Sequence, residues 1–106
     1  MIIRAAKFND LDDFIDLMEC FYREMREQNP EYAKIPYSPK KTKEFFRKYL
    51  INGNCSINVI EHKNHIVGVF AAFITDLFYS DKNIAIEELW YVLPEYRNSI
   101  NNLKLF

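Results

Sequence analysis

The spacing of apolar residues changes once along this chain, near Cys55, and that change limits what the chain can fold into. Before it, Leu11, Phe14, Ile15, Met18, Phe21, Tyr22 and Met25 recur at helical intervals, and Phe45, Phe46, Tyr49 and Leu50 repeat the pattern. After it, Ile57, Val59 and Ile60, the run from Ile66 to Thr75, and the stretch from Ile84 to Val92 follow strand spacing. A β-leaning Ile2–Ala6 precedes the first helix. Helices followed by antiparallel strands predict an α+β layer in the order β-α-α-β-β-β-α, the last helix only a stub. The 106 residues suffice for one domain, 1–106, with a modest core.

The punctuation agrees with this reading. Asn9-Asp10 offers an N-cap for the first helix, and Asp12 and Asp13 place negative charge in its first turn. Asp12, Asp16, Glu19, Arg23 and Arg26 make its wet face to about Gln28. Pro30 and Pro36 mark residues 29–37 as loop, and Ser38-Pro39 is a strong helix start. Asn52-Gly53 supplies a stop. The strands are predicted at about 56–61, 66–75 and 84–92, with Lys63-Asn64 as a hairpin turn. The unbroken apolar run of the middle strand predicts cover on both faces. A final turn opening at Asn98 or Ser99 would contain Leu103, Leu105 and Phe106.

Composition narrows the function classes. A formal net charge of -1 argues against general electrostatic binding to nucleic acid. No apolar run approaches the roughly 20 residues of a membrane span. Two cysteines, Cys20 and Cys55, with no signal peptide at the N-terminus predict a reduced, cytoplasmic setting. His62 and His65 flank the hairpin turn, but no third ligand is near, so they are read as turn histidines and no metal site is expected. Lys40, Lys41, Lys43, Arg47 and Lys48 crowd one helix. A solvated face is the simpler reading, and a surface for an acidic partner is the other. The pairs Phe45-Phe46 and Phe78-Tyr79 read as core, and Cys20 as packing.

Residues 89–97, Leu-Trp-Tyr-Val-Leu-Pro-Glu-Tyr-Arg, carry a resemblance. An apolar strand ending in Val-x-Pro-Glu-Tyr-Arg resembles the fourth strand of the GNAT superfamily, the acyl-CoA-dependent N-acyltransferases. Ile-Arg-Ala-Ala with Asn-Asp before a long helix, and Ile66-Val67-Gly68 after a hairpin turn, resemble the same family in the same order. The end of the chain is particularly similar to small GNAT proteins of bacteriophages. The resemblance covers nearly all of this chain, and this chain covers about the first two-thirds of the family domain, so a partial GNAT fold is expected.

The resemblance implies a cofactor, acetyl-CoA, and a set of residues. Backbone groups near Trp90, Tyr91 and Val92 would bond the thioester and pantetheine arm. The amides of Asn98, Ser99, Ile100, Asn101 and Asn102 would face the pyrophosphate, and Arg97 matches the family's Arg/Gln position. Ile100 and Asn102 stand where the family has glycine, which crowds close backbone approach. Glu87 and Glu88 lie where the family often keeps a general base. Strand alternation lets at most one of them face the cleft. Tyr32, Tyr37 and Phe78 would border the acceptor.

Two function classes follow. One is acetyl transfer from acetyl-CoA to an amine, with weak or no cofactor binding and no transfer expected of the isolated chain, because the family's fifth strand is not encoded before Phe106. The other is a non-catalytic protein-binding module, such as a phage or mobile-element factor. The edge of the 84–92 strand then predicts self-association or a covering protein partner.

Overall fold

The computed structural model describes residues 1–100. Asn101, Asn102, Leu103, Leu105 and Phe106, named above for the phosphate loop and the final turn, lie outside the described residues. The elements are β1 (Ile2–Ala5), α1 (Leu11–Gln28), α2 (Pro39–Ile51), β2 (Cys55–His62), β3 (His65–Asp76), β4 (Asn83–Val92) and a four-residue α3 (Arg97–Ile100). Short 3-10 turns occupy Phe8–Asp10, Pro30–Lys34 and Pro94–Tyr96. The four strands form one antiparallel sheet in the order β1-β2-β3-β4, the α+β arrangement read from the apolar spacing.

The local signals act largely as expected. Ser38 Oγ accepts from the Lys41 amide at 3.1 Å with Pro39 in the first turn, which starts α2. Lys63 and Asn64 have φ of 50° and 68°, a two-residue hairpin turn with both residues left-handed, as the twist of the β2–β3 hairpin demands. Two details differ. The Asp10 side chain makes no cap bond to α1. It turns back to accept from the Lys7 amide at 2.8 Å and from both Arg4 Nη atoms, at 2.8 and 2.9 Å. A bidentate guanidinium pair outcompetes a helix cap here, and it ties β1 to the entry of α1. The Arg4 bonds hold the Asp10 carboxyl below the usual carboxylate range; burial opposes them and the Lys7 bond assists. At the other end, α2 stops without a left-handed glycine: Asn52 is extended, and its Oδ1 accepts from the Asn54 amide at 2.9 Å.

The core lies between the sheet and the two helices. Phe14, Leu17 and Met18 of α1 and Phe46 and Tyr49 of α2 meet Ile57 and Val59 of β2, Ile66, Val69 and Ala71 of β3, and Tyr91 of β4. Phe14 meets Phe46 edge to face at 4.7 Å. Full burial of each such side chain is worth about 1.5–3 kcal/mol. Leu17, outside the expected stripe, belongs to this core. It stands three residues from Phe14, so the buried face of α1 is wider than the stripe read from spacing. On the opposite face a smaller cluster joins Ile60, Val67 and Val92, with Leu93 and Tyr96 against it. Gly68 makes room for it, because a Cβ there would come within 2.9 Å of Ile60 Cδ1 and 3.1 Å of Val92 Cγ2. The predicted double cover of β3 holds from Ile66 to Val69 and at Ala71 and Ala72, while Ile74 is half exposed.

Candidate functional site

The site is built around an irregularity in β4. Ala71 of β3 pairs with Leu89 and Ala72 pairs with Glu87, so Glu88 opposes no residue and forms a bulge. A bulge adds one residue to one strand and re-aims the side chains beside it. As a result both Glu88 and Leu89 line a cleft of about 370 Å³ between β4, α1 and α2. Its floor and walls are apolar, formed by Phe14, Met18, Phe21, Met25 and Phe45. Tyr22, Tyr37, Lys41 and Thr42 add polar atoms.

Those polar groups are mostly engaged. The Tyr22 hydroxyl donates to the Ile35 carbonyl, and the Tyr37 hydroxyl donates to the Ile15 carbonyl at 3.4 Å. Burial pushes the Tyr37 phenol up, so it stays protonated. Lys41 Nζ stands 3.7 Å from Glu44. Among the described residues, Glu88 has no hydrogen bond or ion pair. Its carboxylate is the one acidic side chain on the cleft lining and is available to a ligand.

A second hollow of about 180 Å³ adjoins the cleft, sharing Phe21 and Met25 with it. Here Glu24 Oε2 accepts from the Tyr91 hydroxyl and from Arg97 Nη2, both at 2.8 Å. Arg97 Nε donates to the Val92 carbonyl at 3.0 Å, and its guanidinium lies 5.6 Å from the Tyr91 ring centre. Burial would raise the Glu24 pKa, but the Tyr91 and Arg97 bonds outweigh it and hold the carboxyl below its usual value. Burial and the bond to Glu24 push the Tyr91 phenol up. The constellation clamps the end of β4 and the turn into α3 onto α1. Reading the sequence missed Glu24. Its only sequence signal is position, an acidic residue between Phe21 and Met25 at the margin of the apolar stripe.

The expected site residues divide accordingly. Glu88 lines the cleft; Glu87 is opposite Ala72 and outside it. Tyr91 and Val92 are buried, and Trp90 lies against Phe70, ring centres 5.6 Å apart at 87°. Arg97 and Asn98 begin α3, and the α3 backbone continues through Ser99 and Ile100. Of the expected acceptor residues, Tyr37 lines the cleft, while Tyr32 does not. Phe78 is not on the cleft lining: it stands 98% exposed in the β3–β4 connection, edge to face with Tyr79. His62 and His65 face each other across their hairpin, and His62 rests on Tyr96 at 5.3 Å. No helix among the described residues is long and apolar enough to cross a membrane.

The sequence matches no family model and no curated protein. Solved structures do match. An acetyltransferase from Vibrio fischeri superposes with a TM-score of 0.73 at 24% identity, covering 94% of this chain and 75% of that one. The fold is that of the GNAT acetyltransferases. An aminoglycoside 6'-N-acetyltransferase from Acinetobacter haemolyticus matches with a TM-score of 0.68 at 17% identity over 95% of this chain and 63% of that one. An aminoglycoside acetyltransferase from an uncultured soil sample, solved with sisomicin, gives 0.62 at 25% identity over 93% and 60%. The chain thus spans between 60% and 75% of the lengths of these GNAT-fold proteins.

Proposed function

We propose that this chain carries the acceptor side of an acetyl-CoA-dependent N-acetyltransferase, with Glu88 as general base. The observation that carries the reading is the bulge that delivers an unpaired carboxylate into an apolar cleft. Only a neutral amine attacks a thioester, so a carboxylate beside the amine is what the chemistry requires. Glu88 takes the proton, directly or through a water, and the apolar walls keep the amine oriented.

The acyl donor fits this frame at β4. β4 is last in the sheet order among the described residues, and the backbone groups of Trp90, Tyr91 and Val92 lie at its far end. They would hold the pantetheine arm, with the amides of Arg97–Ile100 toward the phosphates. Acetyl-CoA would supply an activated acetyl group: the amine nitrogen would gain it and lose a proton, the C–S bond would break, and coenzyme A would leave as a thiol carrying that proton. The Glu24–Tyr91–Arg97 clamp keeps the strand end where those backbone groups are needed. Thiol release from acetyl-CoA, measured over an amine panel for the wild type and Glu88→Gln, tests the reading. Measurable and equal rates for the two proteins would remove Glu88 from the mechanism, and no release by either would agree with the expectation that the isolated chain is inactive.

A second reading, a protein-binding module, rests on the edge of the same strand. Ile84 and Ile86 are exposed along it, and Phe78 and Tyr79 at the tip. An exposed apolar edge templates strand addition. Light scattering that finds a dimer, or recovery of a stoichiometric partner, would support it; a monomer without partners would oppose it.

A further inference from the structure

The charge balance of the cleft carries an inference about its ligand, and it rests on the acetyl-transfer reading of the same site. We infer that the acceptor is a small monoamine on an aromatic or aliphatic body, an arylalkylamine type of molecule, and not a polycationic sugar. The cleft offers one free carboxylate, Glu88, and therefore one site for one ammonium group. The carboxylate next door, Glu24, is not on the cleft lining, and its charge is already met by Arg97, which with Tyr91 bonds its Oε2. Lys41 also lines the cleft and, although it is exposed and near Glu44, adds positive charge and no second acceptor for an ammonium group. Opposite Glu88 the surface is aromatic and thioether: Phe14, Phe21, Phe45, Met18 and Met25. Such a surface rewards burial of an apolar body and offers few partners to the many hydroxyls of a sugar. At about 370 Å³ the cleft is near the small end of ligand sites, which run from about 300 to 1,000 Å³.

Two neighbours of this fold are named for aminoglycosides, polycations rich in hydroxyls. The lining of this cleft separates it from that chemistry even though the backbone superposes.

Binding is measured without any acyl donor, by calorimetry and ligand-observed NMR, on the 106-residue chain. The probes are phenethylamine, 2-phenylethanol and kanamycin. Phenethylamine is expected to bind about tenfold or more tightly than 2-phenylethanol, the margin of a hydrogen bond to a charged group. Kanamycin is expected to bind more weakly than phenethylamine. Glu88→Gln should erase the advantage of the amine over the alcohol while leaving alcohol binding intact, which also shows that the variant is folded. Lys41→Glu should strengthen kanamycin binding. Kanamycin binding above phenethylamine, equal binding of amine and alcohol, or no saturable binding of phenethylamine would overturn the inference. A separate arm adds acetyl-CoA. If phenethylamine binds as expected but is not acetylated, the ligand class stands and the transfer reading fails. If kanamycin is acetylated and phenethylamine is not, the transfer reading stands and the ligand class fails.

Discussion

From Asn83 to Glu88 every residue of β4 is exposed, whereas Tyr91 and Val92 are buried. One strand therefore has two environments, and the bulge at Glu88 lies at the boundary. The far half is bolted down: Tyr91 packs on Phe21 at 5.1 Å and bonds Glu24, and Arg97 ties the following turn to the same carboxylate. The near half pairs with β3 and, among the described residues, meets no second strand. The contrast separates two jobs. The bolted half fixes where the strand is, and the near half ends in a carboxylate left unpaired for a ligand. Glu24 and Glu88 make the same point as a pair: one is consumed by the fold, the other is spared.

The largest expected effect comes from attacking the bolted half. Tyr91→Ala should cost about 3–5 kcal/mol in chemical denaturation, as for other buried rings cut to alanine. Ile86→Ala, in the exposed half, should cost about 1 kcal/mol or less. Similar losses at the two positions would erase the distinction drawn here.

Next is the unpaired carboxylate. Glu88→Gln should lower the rate of acetyl transfer about 100-fold, within the range of a removed general base. The loss should shrink as pH rises and free amine accumulates. Its stability should stay within about 0.5 kcal/mol of wild type, because the side chain is exposed and unpaired. A large stability loss with an unchanged rate would make Glu88 structural.

Acid sharpens the comparison further. Asp10 and Glu24 both have depressed pKa values in the folded protein. Each therefore contributes stability that is present above its unfolded value, about 4, and is lost as pH falls through the folded value. Denaturation followed from pH 6 down to pH 2 should show that loss, and Asp10→Asn and Glu24→Gln should each flatten the profile. Asp10 should have the larger effect, since its side chain is 8% exposed against 23% for Glu24. A profile unchanged in Asp10→Asn would refute the assignment.

The smallest effect tests the clamp alone. Tyr91→Phe keeps the ring on Phe21 and removes only the bond to Glu24, so about 0.5–1.5 kcal/mol is expected. If phenethylamine acetylation then loses rate without weaker amine binding, the bond positions the strand end; a change in stability alone would leave it a packing contact.

How far the chain could be read before its structure was seen varies by element. The two amphipathic helices, the Ser38-Pro39 start and the Lys63-Asn64 turn depend on neighbours a few residues away, and all appear where their spacing placed them. The predicted strands start one residue late, at 56, 66 and 84 against Cys55, His65 and Asn83, because polar ends such as His65 and Asn83 carry no apolar signal. Asp10 looked like a cap, since nothing in its local sequence reveals the distant demands of Arg4, itself also bonded to Glu61 across the sheet.

The amino-acid sequence alone determined the class of fold and which strand resembles the cofactor-holding strand of the GNAT fold. Apolar periodicity is a short-range property, set by which side of a helix or strand must leave water. Tertiary structure decided which of Glu87 and Glu88 enters the cleft, that Glu24 is bound to residues 67 and 73 positions away, and that Phe78 stands clear. Those outcomes depend on the register between β3 and β4 and on how α1 lies across the sheet. A single extra residue in one strand redirects its side chains, and that residue becomes identifiable only once its partner strand is in place.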